Sequence, residues 1–407
     1  MVQTLVLSSP AVMSTQPSRR QTAEIEVSVV IPCLNEAETL ATCIRKAQRA
    51  MREHDIAGEI VVADNGSTDG SPDIAAALDA RVVHVAQRGY GSSLMAGIAA
   101  AQGRYVVMGD ADDSYDFGEV PRFVRKLREG YDLVQGCRLS RGGGRVLPDA
   151  MPPLHRWIGN PFFSWMARWM FQAPINDIYC GLRGFCKCSY DQLGLRCTGM
   201  EFATEMIIKA SLVGQQFAEL PITLHPDGRK SRAPHLRTFR DGWRTLRFLL
   251  MSSPRWLFLI PGLLLILLGL AGYGLAMPGV TILGAKLDAH TLLFASLAIL
   301  LGYQSVQFAV FAKTFAAAEG ILPPDARLRR FLSVATLERG LVAGTGGLQA
   351  GLALLATAVW KWEAAHFGSL DYPSTMRLVI PGVTLAALGF QTILSSCLVS
   401  ILNVARR

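Results

Sequence analysis

The stretch RYVVMGDADDSYDF at 104–117 is a short apolar run that ends in Asp110, Ala111, Asp112 and Asp113. Carboxylates at i and i+2, just past the carboxyl end of a parallel strand, lie where an open α/β sheet binds ligands. Hard oxygen ligands suit Mg2+ or Mn2+, and such an ion shares one or two carboxylates with a substrate diphosphate. The other reading of this D-x-D is a helix cap and a turn in the chain.

Positioning such acids takes a sheet, and two more segments have the same form. EVSVVIPCLNEAETL at 26–40 and EIVVADNGSTDGS at 59–71 are β-branched apolar runs that end in polar, turn-forming loops. Helical spacing follows the first loop at Leu40, Cys43, Ile44 and Ala47, and precedes the third strand at Leu94, Ile98 and Ala101. That alternation predicts the βαβ units of a Rossmann-like, nucleotide-binding α/β domain.

VIPCLNE, ADNGSTDG, RGYGSSLMAG and GDADD occur in the order and approximate spacing of the family 2 glycosyltransferases, and over about residues 27–210 the chain resembles that family. Closer still, it resembles the polyprenyl-phosphate glycosyltransferases, such as the dolichol-phosphate mannose synthases and their membrane-anchored bacterial relatives. The resemblance implies a GT-A fold, a nucleotide-sugar donor and a catalytic Mg2+ or Mn2+. It places donor binding on Pro32, Asn35, Glu36, Asp64 and Asn65, with Arg88 and Gly89 of RGYGSS near the diphosphate. Ionised Glu36 and Asp64 would accept hydrogen bonds from base and ribose. The chain departs from the family at Asn65, often a second acid, and at Tyr90, often Lys. Metal coordination is expected mainly at Asp112, with Asp110 placing the ion or the ribose; whether Asp113 is a ligand or a turn acid stays open.

For the acceptor, a lipid monophosphate is largely ionised at neutral pH, its second pKa being about 6. It needs cations more than a general base, and guanidinium meets phosphate bidentately. Arg138 in GCRLSRGG and Arg183 in YCGLRGF match the family positions for acceptor phosphate. Arg141 and Arg145, on a glycine-rich loop, are further candidates, the other reading being a solvated basic face. Glu205 in MEFATEM matches a family acid near the sugar that would bind hydroxyls or act as a base; otherwise it is a helix N-terminal acid. By this resemblance the catalytic set is Asp110, Asp112, Arg138, Arg183 and Glu205.

Half of the 407 residues, 50%, are hydrophobic, and the excess lies in the last 150. Four segments, about 256–276, 291–312, 340–360 and 378–402, approach the roughly 20 residues that span about 30 Å of hydrocarbon. The expected division is a mobile tail at 1–24, a GT-A domain at 25–234, a juxtamembrane amphipathic helix at 235–254 and four transmembrane helices in two hairpins at 255–407. Lys313, Arg327, Arg329, Arg330 and Arg339 in the middle connection, with Arg406 and Arg407 at the end, put the catalytic domain and both termini in the cytoplasm of a multi-pass, bacterial-type inner or plasma membrane protein. Trp256, Trp360 and Trp362 fall near span ends. Residues 1–24 lack the apolar stretch of a signal peptide. The eight cysteines are expected to be reduced thiols. Cys180, Cys186, Cys188 and Cys197 lack the paired spacing of a zinc site, which makes packing the favoured reading over a metal.

Two segments would carry the site to the bilayer: HRWIGNPFFSWMARWMF at 155–171, and HLRTFRDGWRTLRFLLM at 235–251 with Phe239, Trp243, Leu246 and Leu250 beside Arg237, Arg240, Arg244 and Arg247. The alternative is packing on the domain's own core. PDGRKSRAP at 226–234 is, by analogy, a loop that orders over the donor. The net charge of +8 favours an anionic membrane surface over nucleic acid, for which no motif is present. The expectation is an inverting, metal-dependent transfer of one sugar from a UDP- or GDP-linked donor to undecaprenyl or dolichyl phosphate. A processive polysaccharide synthase, whose Q-x-x-R-W motif is missing, and a non-catalytic nucleotide-sugar-binding membrane protein are the alternatives. The sugar, the nucleobase, the prenyl length and whether the protein is a homo-oligomer stay open.

Overall fold

The computed structural model describes residues 24–229, 238–282, 284–323 and 325–404. The expected tail, apart from residue 24, lies outside them, as do residues 230–237, Arg406 and Arg407. Seven strands, β1 (Val27–Cys33), β2 (Gly58–Asp64), β3 (Arg81–His84), β4 (Tyr105–Met108), β5 (Leu133–Cys137), β7 (Arg183–Cys186) and β8 (Phe217–Pro221), make one sheet. Its order is β3-β2-β1-β4-β7-β5-β8. The strands β3, β2, β1 and β4 run parallel, β7 lies antiparallel to both β4 and β5, and β5 pairs in parallel with β8. The expected GT-A sheet is this one. Two-residue strands β6 (Arg145–Val146) and β9 (Thr223–Leu224) pair beside it.

Helices cover both faces, which is why the parallel strands are continuously apolar. Val29, Ile31 and Cys33 of β1 point to one face with Leu40, Cys43, Ile44 and Ala47 of α1 (Leu40–Glu53), all buried. Val30 points to the other, against Leu94 and Ile98 of α3 (Tyr90–Ala100). Between these, α2 spans Ser71–Ala77, and α4 (Val120–Arg128) covers the first face. Pro32, in a central strand, is tolerated because β4 has already ended there: the β4 register stops at Val30 and Met108.

Beyond the sheet come α5 (Asn160–Phe171), α6 (Lys187–Asp191), α7 (Phe202–Leu212) and α8 (Thr238–Met251). Leu249 of α8 is buried with Met166, Met170 and Phe171 of α5 and Ile208 of α7. The expected apolar stripe of α8 is thereby divided. Leu246 and Leu250 pack toward this cluster, while Phe239 and Trp243 are 85% and 61% exposed. On α5, Trp165 and Trp169 stack at 5.5 Å, and Trp169 meets Trp256 at 3.7 Å, so an aromatic row runs from the α/β domain to the first apolar helix.

Four helices are long and apolar enough to cross a membrane: Arg255–Ala276, Ala289–Ala318, Leu337–Ala364 and Tyr372–Asn403. The first comprises a π-turn at Arg255–Leu259 and α9 (Ile260–Ala276); the others are α10 (Ala289–Ala318), α12 (Leu337–Ala364) and α13 (Tyr372–Val404), with the hairpin β10 (Thr281–Ile282) and β11 (Ala285–Lys286) before α10 and α11 (Ala326–Val334) after it. Each hairpin closes through small residues, as interfaces in lipid require. A Cβ on Gly262 of α9 would lie 2.8 Å from Gly302 O of α10, and one on Gly389 of α13 would lie 2.3 Å from Leu348 N of α12. Leu264, Leu267 and Leu268 face outward, the distribution expected of lipid-facing surface.

Candidate active site

The parallel strands deliver their loops to one edge. After β1, Asn35 takes a left-handed backbone (φ 59°), accepts the Thr68 N–H on Oδ1 at 2.7 Å and donates its own N–H to Ser67 Oγ. The Glu36 N–H donates to Ser71 Oγ, and the Ala37 N–H to Asp69. The first two loops are therefore laced into one wall. Asp64, nearly buried, accepts the N–H groups of Gly66 and Ser67, and His84 Nδ1 lies 3.4 Å away.

Asn65 is engaged by the backbone of the next loop. Its Nδ2 donates to Val85 O and Gln87 O, and its Oδ1 accepts the Gly89 N–H at 2.8 Å, so the amide braces the 85–89 loop. Gly89 is needed there: its φ is 138°, and a Cβ would lie 2.3 Å from Thr198 O. Arg88 is exposed on that loop.

Past β4, Asp110 accepts a 2.8 Å hydrogen bond from Tyr90 OH, and burial, with Asp112 beside it, pushes its carboxyl up to about 6. Tyr90 supplies a neutral donor where the family often has a cation. Asp112 Oδ1 accepts the Ser114 N–H and Oγ–H. Asp113 is a turn acid: it has φ 60° and pairs with Lys46 Nζ at 2.8 Å. Glu36 is 8% exposed; burial foremost raises its carboxyl to about 7, against the pull of Arg229 and with Asp112, Asp227 and Asp110 adding to the rise. Its Oε1 accepts from Arg229 at 3.0 Å, while Oε2 has no partner among the described residues. Arg229 also reaches Asp112 and Asp227.

Among the described residues no cluster of three or more His, Cys, Asp or Glu side chains forms a ready cation cage. The donor set nonetheless suits Mg2+ or Mn2+, which take one or two carboxylates and fill the rest with water and phosphate. Hard oxygens crowd here closely enough to raise one another's affinity for protons, and a guanidinium already answers the charge.

Two expected site residues are engaged by the protein itself. Arg183 is 0% exposed, and its guanidinium donates to the backbone carbonyls of Cys180, Ile178 and Ala203, so it ties loops together. Glu205 pairs with Lys209 at 2.9 Å and accepts the N–H groups of Arg196 and Cys197. Despite burial, these partners hold its carboxyl below the usual range. It anchors the 196–198 segment on which Gly89 rests.

Arg138 is shared. Its Nε and Nη2 form a bidentate pair with buried Asp177 at 2.7 and 2.8 Å, and Nη1 donates to Tyr115 OH. It also lines a cavity of about 400 Å3 with Arg141, Arg145, Arg156, Arg168 and Trp157, and among the described residues no carboxylate lines that cavity. Arg168 is further held to Ile175 O at 2.9 Å. Tyr115 OH accepts the Gly181 N–H at 2.9 Å, and a Cβ on Gly181 would come 2.6 Å from Asp110 Oδ2. Arg138, Tyr115 and Gly181 therefore connect the basic cavity to the acidic cleft. Sequence reasoning missed Tyr115, Gly181, Asp177, Arg156, Arg168 and Arg229. Gly181 stood in the YCGLRGF motif beside the arginine that drew attention, and Arg229 in a loop singled out without naming it. Of the cysteines, Cys33, Cys43, Cys137 and Cys180 are buried packing groups, and Cys186 and Cys188 adjoin at 2.6 Å.

A GT-A sheet whose parallel strands bring their acids to one edge, continued by four apolar helices, defines a membrane-bound glycosyltransferase. The comparisons narrow the class. The family described as "Glycosyl transferase family 2" matches residues 28–184, and "Glycosyltransferase family 2 C-terminal transmembrane region" matches residues 310–403. The low-salt glycan biosynthesis hexosyltransferase Agl6 of Haloferax volcanii is 36% identical over 360 residues, 87% of this chain and 85% of that one. The dolichyl-phosphate hexose transferase of the same organism is 30% identical over 198 residues, 48% of this chain and 82% of its own. A crystal structure of glucosyl-3-phosphoglycerate synthase from Mycobacterium tuberculosis, with Mn2+, UDP and phosphoglyceric acid, is similar at a TM-score of 0.43 and 21% identity over 56% of this chain and 77% of that one. The chain belongs to glycosyltransferase family 2.

Proposed function

We propose that the protein transfers a single hexose, with inversion, from a UDP- or GDP-linked donor to a polyprenyl phosphate at the cytoplasmic membrane face, using Mg2+ or Mn2+. The observation that carries the reading is the arginine-lined cavity, without a carboxylate among its described lining residues, that reaches the acidic cleft through Arg138, Tyr115 and Gly181. An ionised phosphate is the complement of such a cavity. The exposed Trp157 in its lining, and the exposed Trp165 and Trp169 on α5, suit the bilayer interface, where a prenyl lipid presents its head. The relatedness to a dolichyl-phosphate hexose transferase points the same way.

In this reading the wall made by Asn35, Glu36 and Asp64 holds base and ribose, and the free Oε2 of Glu36 accepts a donor hydrogen. Asp110 and Asp112 would hold the cation. When bound, it neutralises charge that grows on the departing diphosphate. Tyr90 and Gly181 fix the orientation of Asp110. Arg141, Arg145, Arg156 and Arg168 orient the acceptor phosphate, one of whose oxygens forms the new bond to the anomeric carbon as the bond to the diphosphate breaks and the nucleoside diphosphate leaves with the electron pair. No side chain need remove a proton, since the attacking oxygen is already ionised. Glu205 and Arg183 keep the surrounding loops in place.

The test is turnover by the purified protein with a panel of UDP- and GDP-sugars, undecaprenyl or dolichyl phosphate, with and without Mn2+. One pairing should release nucleoside diphosphate and form the lipid-linked sugar, and Asp112→Ala should abolish this with folding intact. A folded preparation that is inert with every pair sinks the proposal.

A further inference from the structure

Arg229 is a cation that the cleft carries within itself. Its side chain is only 9% exposed and meets three carboxylates: Nη1 lies 3.0 Å from Glu36, Nη2 lies 3.4 Å from Asp112, and Nε lies 2.9 Å from Asp227. The backbone beneath it is pinned, because the Gly228 N–H donates to Asp112 O at 2.9 Å and the His225 N–H to Ser114 O. A swing of the Arg229 side chain therefore requires no displacement of His225 or Gly228. Meanwhile Glu36, 92% buried by its 8% exposure, keeps Oε2 without a partner, so Arg229 leaves this cleft incompletely satisfied.

We infer that Arg229 occupies the cation's place in the donor-free enzyme and moves onto the donor's diphosphate, so that this side chain adds to the positive coupling between divalent metal and nucleoside diphosphate. The inference rests on the assignment of Asp112 to the metal. A guanidinium and a divalent ion on the same Asp112 carboxylate repel each other, and with no diphosphate present Arg229 has nowhere better to go than its three acids. A bound diphosphate changes this. It offers paired anionic oxygens that suit the guanidinium fork, releases Glu36 Oε1 together with Oε2 for donor hydroxyl or base N–H groups, and leaves Asp112 to the ion. Metal alone therefore binds against Arg229, and metal with diphosphate binds without it.

The experiment titrates Mn2+ into the full chain in nanodiscs, reading free Mn2+ by electron paramagnetic resonance, alone and with UDP or GDP. The wild type, Arg229→Ala, Arg229→Lys and Asp112→Ala are compared. In Arg229→Ala, nucleotide-free Mn2+ affinity should rise on the order of tenfold, and the tightening caused by nucleotide should shrink by a similar factor, as reciprocal linkage requires. Arg229→Lys, which keeps the charge, should retain most of the antagonism. If Arg229→Ala binds Mn2+ without nucleotide no better than wild type while Asp112→Ala loses binding, the inference is overturned and the metal site stands. If Asp112→Ala binds Mn2+ as well as wild type, the metal assignment falls and the inference with it.

Discussion

Gly181→Ala is the sharpest probe of the link between cavity and cleft. A methyl at this position would stand 2.6 Å from Asp110 Oδ2 and 3.1 Å from the Tyr115 ring, and the first distance is closer than carbon and oxygen can pack. Something has to yield. Tyr115 is buried and held by Arg138 and by the Gly181 N–H itself, so the carboxylate gives way. Asp110 Oδ1 is tethered by Tyr90 OH at 2.8 Å, which leaves Oδ2 to turn aside by several tenths of an ångström to about one. A misplacement of that order costs roughly 100-fold in rate, equivalent to about 2.7 kcal/mol of transition-state stabilisation. Overpacking itself should cost about 1–3 kcal/mol of stability. The assay is nucleoside diphosphate release against Mn2+ concentration, with thermal unfolding as the control. A folded Gly181→Ala enzyme should show reduced kcat and a raised Mn2+ requirement. Wild-type kinetics and metal dependence in that variant would refute both the role of Oδ2 and the connection through Gly181.

Arg168→Ala and Arg156→Ala should each raise KM for the lipid phosphate by roughly ten- to a hundredfold, the worth of a charge-assisted hydrogen bond, and leave KM for the nucleotide sugar unchanged. A rise in donor KM alone would move the cavity to the other substrate. Arg138→Ala should lower stability by about 3–5 kcal/mol, because it strands the buried Asp177 carboxylate, and denaturant unfolding would reveal it. The Glu36 carboxyl is raised to about 7 from 4.5, so the folded state holds its proton more tightly than the unfolded chain. Its contribution is fully favourable below pH 4.5 and is lost as pH rises toward 7, by at most about 3 kcal/mol. The melting temperature of donor-free Glu36→Gln should therefore fall less than that of wild type across that window. Identical slopes in the two proteins would contradict the assignment.

Local pattern made much of this protein legible. Alternating apolar strands and helical spacing at Leu40, Cys43, Ile44 and Ala47 announce the α/β domain, because periodicity follows directly from which face is buried. Four long apolar segments announce the membrane helices for the same reason. The acids at 36, 64, 110 and 112 were readable too, since the carboxyl ends of parallel strands share an edge whatever the details of packing. What a side chain at that edge faces is another matter, because it depends on partners far away in the chain. Arg183 and Arg138 are both arginines in strand-end motifs. The first is enclosed by the carbonyls of Ile178, Cys180 and Ala203, and the second is shared between Asp177 and an open cavity. Glu205 reads in the sequence as an acid near the sugar, and nothing in the spacing shows that Lys209 and two backbone N–H groups hold it. Arg229 meets Glu36 from 193 residues away. Burial and pairing of a charge belong to the assembled surroundings, and no spacing in the chain encodes them.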